Sequence, residues 1–341
     1  MTAQQGASDL HLSPGHHPTL RLDGRLVSLT NYAILDRQAL QELVTLLLEE
    51  KKERFATEGE LDFAYEFEQK ARFRVSVYRT KGNPAAALRF IPEEIRTIEE
   101  LNLPPVIKIF TKLSQGFVLV VGPSGHGKST TMAALINLIN RERIEKVVTV
   151  EDPIEHVFQS DKSIIDQREI SSDASSFPRA LQAAGRQDDN IVMVGAMRDA
   201  GTIGAAMDTA EIGRLVFASL DTTSAAQTME RIIEHFPPDQ QEQARTRLAN
   251  TISGVISQRL VPRIKGGLVP AVEVMIATPA VRTMVRDNRL RQLNTVIETS
   301  QDMGMISLDR SLANLVRRQE ISLESAEFFS LNPSGLRSLV S

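Results

Sequence analysis

Eight residues carry the clearest chemistry in this chain: Gly122-Pro123-Ser124-Gly125-His126-Gly127-Lys128-Ser129, with Thr130 following. The spacing is G-x-x-x-x-G-K-[ST]. An apolar run, VLVV, precedes it and an amphipathic run, KSTTMAALINLINRE, follows it, which is the strand–loop–helix setting the motif requires. Gly122, Gly125 and Gly127 let the backbone wrap so that N–H groups point inward at phosphate oxygens. The helix that starts at Lys128 adds the positive end of its dipole. Lys128 would contact the outer phosphates of a nucleoside triphosphate, and the Ser129 hydroxyl would ligate Mg²⁺. A glycine-rich turn that binds nothing is the competing reading, and the intact motif in this setting weighs against it. His126 could touch phosphate or be a solvated loop residue. A second candidate is Glu151 in VTVEDP, a carboxylate at a strand end. It is chemically suited to polarise a water molecule, and an ordinary strand-end acid is its bland alternative.

Those groups need a scaffold. From about residue 110 short apolar runs (GFVLVVG, KVVTVEDP, NIVMVG, RLVFASL) alternate with helical stretches, a βαβ rhythm that predicts an α/β domain with a parallel sheet. QRLVPRI-KGG-LVPAVEVMI reads as a hairpin with a Gly-Gly turn, and the chain beyond Pro279 as mostly helical. Met132, Met193 and Met197 read as core filler. Residues 1–97 read as a small α+β domain. Alternating segments TLRLDGRLVSL, LDFAYEFE and ARFRVSVYR flank a helix over 36–54, with Asp23-Gly24 as a turn and Asp36 as N-cap. Pro92, Pro104 and Pro105 place a linker at 98–110, leaving 111–341 for the second domain.

Composition narrows the classes. The chain has 341 residues and a formal charge of −4, so nothing global marks it for nucleic acid. Aromatics are scarce and Trp is absent, which disfavours base-stacking platforms. It has no Cys, which removes thiolate zinc sites, Fe–S clusters and a Cys nucleophile. No run approaches the length needed to span a bilayer, and MTAQQGASDL does not read as a signal peptide. The expected setting is cytoplasmic, without membrane insertion.

Beyond the phosphate loop, a sequence of motifs resembles the type IV pilus retraction ATPases, the PilT-like branch of the secretion ATPase superfamily. They are ASDLHLS (7–13), VTVEDPIE (148–155), IVMVGAMRD (191–199), AAMDTAEIGRLVFASLDTTSA (205–225), MERIIEHFP (229–237), ISQRLVPR (256–263) and ATPAVRTMVRD (277–287). The resemblance implies a PAS-like N-terminal domain, a RecA-like P-loop ATPase domain, ATP and Mg²⁺ held between domains, and a ring of six subunits. It also implies an inner-membrane platform protein of the pilus as partner, at the cytoplasmic base where pilin is drawn back. Glu151 would be the catalytic carboxylate. Arg74, Arg79 and Arg89 stand where the family places arginines that reach the nucleotide, and a solvated strand face is the alternative for each. Assembly-type relatives often carry an extra N-terminal domain and a four-cysteine zinc module; the chain shows neither, which favours the retraction branch.

Three departures qualify the carry-over. The family's GEMRD is Gly195-Ala196-Met197-Arg198-Asp199 here, so a methyl group stands where a carboxylate helps hold Mg²⁺ and its waters. The family's LHT is Leu220-Asp221-Thr222, which puts a carboxylate near phosphate or, alternatively, supplies the missing metal ligand. ALRED becomes Ala184-Gly185-Arg186-Gln187-Asp188, where Gly185 would weaken a helix. Arg198 and Asp199 are expected to pair with each other. Two functions stay open: a retraction motor, with hydrolysis impaired, or a nucleotide-binding regulatory paralog that acts on a competent ring.

Overall fold

The computed structural model describes residues 6–22, 24–67, 71–91, 94–170 and 172–340, so Asp23 and Pro92 lie outside the described residues. The chain divides into two compact units, residues 1–94 with 152–157, and residues 95–151 with 158–341.

The first unit is an antiparallel sheet with helices against it. Its strands are β1 (Asp9–Leu12), β2 (Thr19–Leu22) and β3 (Arg25–Ser28), then β4 (Glu60–Phe67), β5 (Ala71–Thr80) and β6 (Asn83–Ile91). The order is β3-β2-β1-β6-β5-β4. Helix α1 (Arg37–Leu48) buries Leu40, Val44 and Leu48, spaced by four residues and hence on one face. They meet Phe63, Val75, Val77 and Leu88 of the sheet. Asp36 caps α1 by accepting from the Ala39 N–H, as expected. The helix expected over 36–54 is broken, however. Glu49 takes φ 48°, and α2 (Lys52–Glu58) starts afresh after a short 3₁₀ turn.

The second unit holds seven strands in the order β13-β12-β7-β11-β10-β8-β9. They are β7 (Gly116–Val121), β8 (Lys146–Glu151), β9 (Ile164–Glu169), β10 (Ile191–Val194), β11 (Leu215–Leu220), β12 (Ile252–Pro262) and β13 (Leu268–Ile276). All pairings are parallel except β12–β13. The hairpin with its Gly-Gly turn is present as expected, and Gly266 and Gly267 both take positive φ there, which glycine adopts without steric cost. The edge strand β9 was not foreseen, because SIIDQRE mixes charges into a short apolar run.

Helices cover both faces of this sheet. Helix α3 (Lys128–Glu142) packs Met132, Leu135, Ile136 and Ile139 on one side. On the other lie α4 (Phe177–Ala184), α5 (Ala200–Glu211), α6 (Ala225–Glu234), α7 (Gln241–Thr251), α8 (Pro279–Arg286) and α9 (Leu293–Thr299). Helices α10 (Leu308–Arg317), α11 (Leu323–Phe329) and α12 (Pro333–Val340) form a satellite core on the end of the β12–β13 hairpin. This is the α/β, RecA-like P-loop architecture, preceded by a smaller sheet unit. Strand β7 is buried throughout because it is sandwiched on both faces. Met132, Met193 and Met197 are core residues.

Residues 98–110, expected as a linker, carry Ile98, Leu103, Ile107 and Phe110 into the core of the second unit. Pro105 opens a 3₁₀ helix there, since proline is well tolerated at a first helical position. Gly185 is the C-cap of α4 and so ends that helix instead of weakening its interior. Among the described residues no helix is long and apolar enough to cross a membrane.

Candidate functional site

The phosphate loop links the C-terminal end of β7 to α3, so Lys128, Ser129 and Thr130 form the first turn of the helix. Their N–H groups precede any intrahelical acceptor and lie at the positive end of the dipole. The loop is shaped by β12. Gly122 has φ 156°, and a Cβ there would stand 2.4 Å from the Gln258 carbonyl oxygen; at Gly127 (φ 79°) it would stand 2.8 Å from Gln258 Nε2. Only glycine lets this strand approach so closely. Gln258 is buried. Its amide donates to the His126 carbonyl at 2.8 Å, and its Oε1 accepts from the Thr131 hydroxyl at 2.7 Å.

His126 has a role that neither sequence alternative contained. Its Nδ1 accepts the Leu260 N–H at 2.9 Å, fastening the loop to β12. That bond requires the ring nitrogen to be unprotonated. Burial pulls the imidazole pKa down, with the Arg259 and Lys128 charges adding to the effect, so the acceptor form is favoured. Pro123 is half-buried, whereas Ser124 and Gly125 are exposed at the loop tip.

The Lys128 ammonium donates to the carbonyls of Gly122 (2.9 Å) and Pro123 (3.0 Å), and to Asp221 Oδ1 at 2.6 Å. Asp221 arrives there by register. Leu220 of β11 pairs with Val121 of β7, so the next residue faces the start of the loop. The segment after it is fixed from several sides. The Thr223 carbonyl accepts from Ser257 (3.0 Å) and Arg259 (3.3 Å), Thr222 and Thr228 hydroxyls share a hydrogen bond, and the Ala225 N–H donates to Glu273 at 2.7 Å. Burial pushes the Glu273 carboxyl up to about 7, against the lowering effect of the Ala225 N–H and Arg259.

Glu151 ends β8 on the same edge of the sheet and is buried. Its carboxylate accepts from Thr149 Oγ1 at 2.7 Å and Gln167 Nε2 at 3.1 Å. Two strands, β11 and β10, separate β8 from β7, so the two strand axes are about 14 Å apart. Ala196 and Met197 follow β10, and Ser219 ties this turn to β11 by donating to the Gly195 carbonyl. Arg198 is exposed, and the expected Arg198–Asp199 pair does not form among the described residues. Asp199 instead caps α5, accepting the Thr202 N–H at 2.9 Å and its hydroxyl at 2.7 Å. A carboxylate just before a helix is a strong N-cap, which outweighs an exposed ion pair.

A glycine-wrapped loop with a lysine and a helix start, at the carboxyl edge of a parallel sheet, narrows the comparison to phosphate-binding families. The type II/IV secretion system protein family matches residues 2–304. The chain belongs to this family. It is 41% identical over 326 residues to the type IV pilus retraction ATPase PilT of Pseudomonas aeruginosa, covering 95% of this chain and 94% of that one. It is 41% identical over 311 residues to a twitching motility protein of Neisseria gonorrhoeae, covering 91% of this chain and 83% of the relative. The solved structure of the pilus retraction motor PilT with bound ADP superposes with a TM-score of 0.89 at 38% identity, over 99% of this chain and 97% of that one.

Within this member of the family, the three candidate arginines, Arg74, Arg79 and Arg89, all have partners. Arg74 donates to Glu155 at 2.9 Å and approaches Asp62 at 3.5 Å, Arg79 lies over the Phe55 ring, and Arg89 donates to Asp9 at 2.9 Å. Gln258, Glu273, Ser257 and Arg259 are the positioning residues that sequence reasoning missed. A signal existed: SQR and a lone Glu interrupt otherwise apolar strands, and a polar group in such a run must find a buried partner.

Ser129 fits a place among the ligands of Mg²⁺. Its hydroxyl is half-buried on the first turn of α3 and makes no hydrogen bond among the described residues. Mg²⁺ in such sites is held largely by phosphate oxygens and waters, with few protein groups, so a free hydroxyl here is compatible with one place in its coordination shell.

Proposed function

We propose that this chain is an ATP-binding subunit of a hexameric, PilT-type retraction motor, working at the cytoplasmic base of a type IV pilus against an inner-membrane platform protein. The loop that puts Lys128 and the α3 N-terminus on one concave backbone surface is the observation that carries this reading. The ADP-bound relative of the same fold supports the choice of nucleotide.

In this reading the N–H groups of the loop and of Lys128, Ser129 and Thr130 receive phosphate oxygens, and the Lys128 ammonium offsets their charge. Ser129 would hold Mg²⁺, which when bound neutralises phosphate charge and orders water. Glu151 would accept a proton from the attacking water, with Thr149 and Gln167 fixing the carboxylate. The resemblance also implies nucleotide contacts for Arg79 and Arg89, which within the first unit lie over Phe55 and donate to Asp9. Turnover is weak, because Ala196 offers no carboxylate to the metal's waters and Asp221 engages the loop lysine. Those same two residues favour a second reading, a subunit that binds ATP statically and tunes a competent ring. No nucleic-acid partner is proposed.

Binding of a fluorescent ATP analogue to the wild type and to Lys128→Ala tests the assignment. The variant should lose binding. Equal affinity of the two proteins would sink it.

A further inference from the structure

The ammonium of Lys128 has three N–H donors, and all three are engaged: by the Gly122 carbonyl, the Pro123 carbonyl and Asp221 Oδ1. A phosphate oxygen can therefore be received only if one acceptor leaves. The two carbonyls belong to the loop itself and move only if the loop unwraps. The third acceptor is a side chain free to rotate: Asp221 is 68% exposed, against 12% for Lys128. The segment just after it is fixed by bonds made by Thr222, Thr223 and Ala225, which keeps the carboxylate within reach of the lysine.

We propose that Asp221 is an internal competitor for the phosphate loop: its carboxylate takes the place of a phosphate oxygen on Lys128 and must be displaced before nucleotide binds. The pair does two things at once. It satisfies a largely buried ammonium in the nucleotide-free loop, which holds the loop in its wrapped shape. It also subtracts from affinity the free energy of that ion pair, together with repulsion between the displaced carboxylate and incoming phosphate. This rests on the reading of the loop as a nucleotide site and goes beyond it, since it assigns Asp221 to the control of occupancy, not to metal ligation. An ordinary structural residue moves stability and binding in the same direction. A competitor moves them in opposite directions.

The test uses the full chain and the fluorescent ATP analogue with Mg²⁺, comparing wild type, Asp221→Asn, Asp221→Ser and Asp221→Glu. Asp221→Asn and Asp221→Ser should bind about tenfold more tightly, the scale of one charge-assisted hydrogen bond at a partly exposed site. The same two variants should melt at a lower temperature than wild type without nucleotide, and show a larger rise on adding it. Asp221→Glu keeps the charge and should stay near wild-type affinity. Wild-type binding with no gain in either neutral variant would overturn the competitor while leaving the nucleotide site intact. Binding lost with Asp221→Asn, with a lower melting temperature in both states, would overturn it in favour of metal ligation or structural support. Failure of the wild type and of all three Asp221 variants to bind would remove the competitor and the nucleotide reading together.

Discussion

Glu273 offers a measurement that isolates one group in the support of the candidate site. It sits in an otherwise apolar stretch of β13, buried, and accepts the Ala225 N–H at the start of α6. Replacing it with Gln keeps an oxygen acceptor of nearly the same shape and removes the charge. Burial raises the carboxyl from its ordinary 4.5 to about 7, with the Ala225 N–H and Arg259 of β12 opposing, and Asp309 of α10 and Glu298 of α9 adding repulsion. A folded-state value above the unfolded one means the folded chain holds this proton more tightly. The stability it contributes is whole below pH 4.5, is lost as pH rises to about 7, and is flat above that. The gap corresponds to about 3 kcal/mol.

In a domain of this size, that is a melting shift of roughly 6–12 °C. Glu273→Gln should carry some fixed offset from imperfect placement of its NH₂ group, but that offset does not depend on pH. The readout is therefore the difference in melting temperature between Glu273→Gln and wild type, followed by thermal scanning from pH 4.5 to pH 8. It should move in favour of the variant across that interval and level off near neutrality. A difference that is constant in pH would refute the reasoning, because it would mean that Glu273 is not a buried, reluctantly ionised group.

Three further outcomes are expected. Ala196→Glu combined with Asp221→His should raise steady-state phosphate release by at least tenfold, about 1.4 kcal/mol of barrier; a wild-type rate already as high as the revertant's would show that neither residue limits turnover. Gln258→Leu strips partners from the Thr131 hydroxyl and the His126 carbonyl, each a loss of about 1–3 kcal/mol, so nucleotide affinity should fall although Gln258 never touches phosphate; unchanged affinity would count against a loop shaped by β12. The protein should run as a closed ring of six by light scattering coupled to gel filtration, with nucleotide stabilising it; a strict monomer with and without ATP and Mg²⁺ would remove the motor reading.

Much of the second unit could be read from residues alone. Apolar runs at β7, β8, β10 and β11 are long enough and regularly enough spaced to demand a parallel sheet, and the glycine spacing of the loop names its own conformation. Local signals also placed Asp36 and the Gly266-Gly267 turn. What could not be read was long-range. Gln258 is 132 residues from His126 and 127 from Thr131, and nothing local in SQRLVP announces that it braces the phosphate loop. The break at Glu49 falls in a run of good helix formers, EEKKER, so it had no local signature. Residues 98–110 misled because two consecutive prolines look like punctuation when the apolar residues around them are not counted as core. The Arg198–Asp199 pairing failed for a related reason: adjacency in sequence suggested a pair, while the start of α5 offered Asp199 a better partner.

Ala196 and Asp221 share a location, and it changes how they should be judged. They stand just past the ends of β10 and β11, neighbouring parallel strands. The resemblance carried by the sequence motifs implies Glu in the first place and His in the second; this chain has Ala and Asp. If the implied pattern holds, the number of carboxylates at the two positions is the same, and the one in this chain stands a strand nearer to β7, since β11 pairs directly with it. There the cation it meets is Lys128, at 2.6 Å. The two changes are therefore not independent defects. With Glu retained at 196, a carboxylate at 221 would give this edge two negative groups beside one loop lysine, and the loss of one relieves the other. Near neighbours of this kind should not be additive. Asp221→His alone should release Lys128 and tighten nucleotide binding. Ala196→Glu alone should add repulsion and gain little turnover. The double change should exceed the sum of the two, and strict additivity of the rates would show that the two positions do not act on one another.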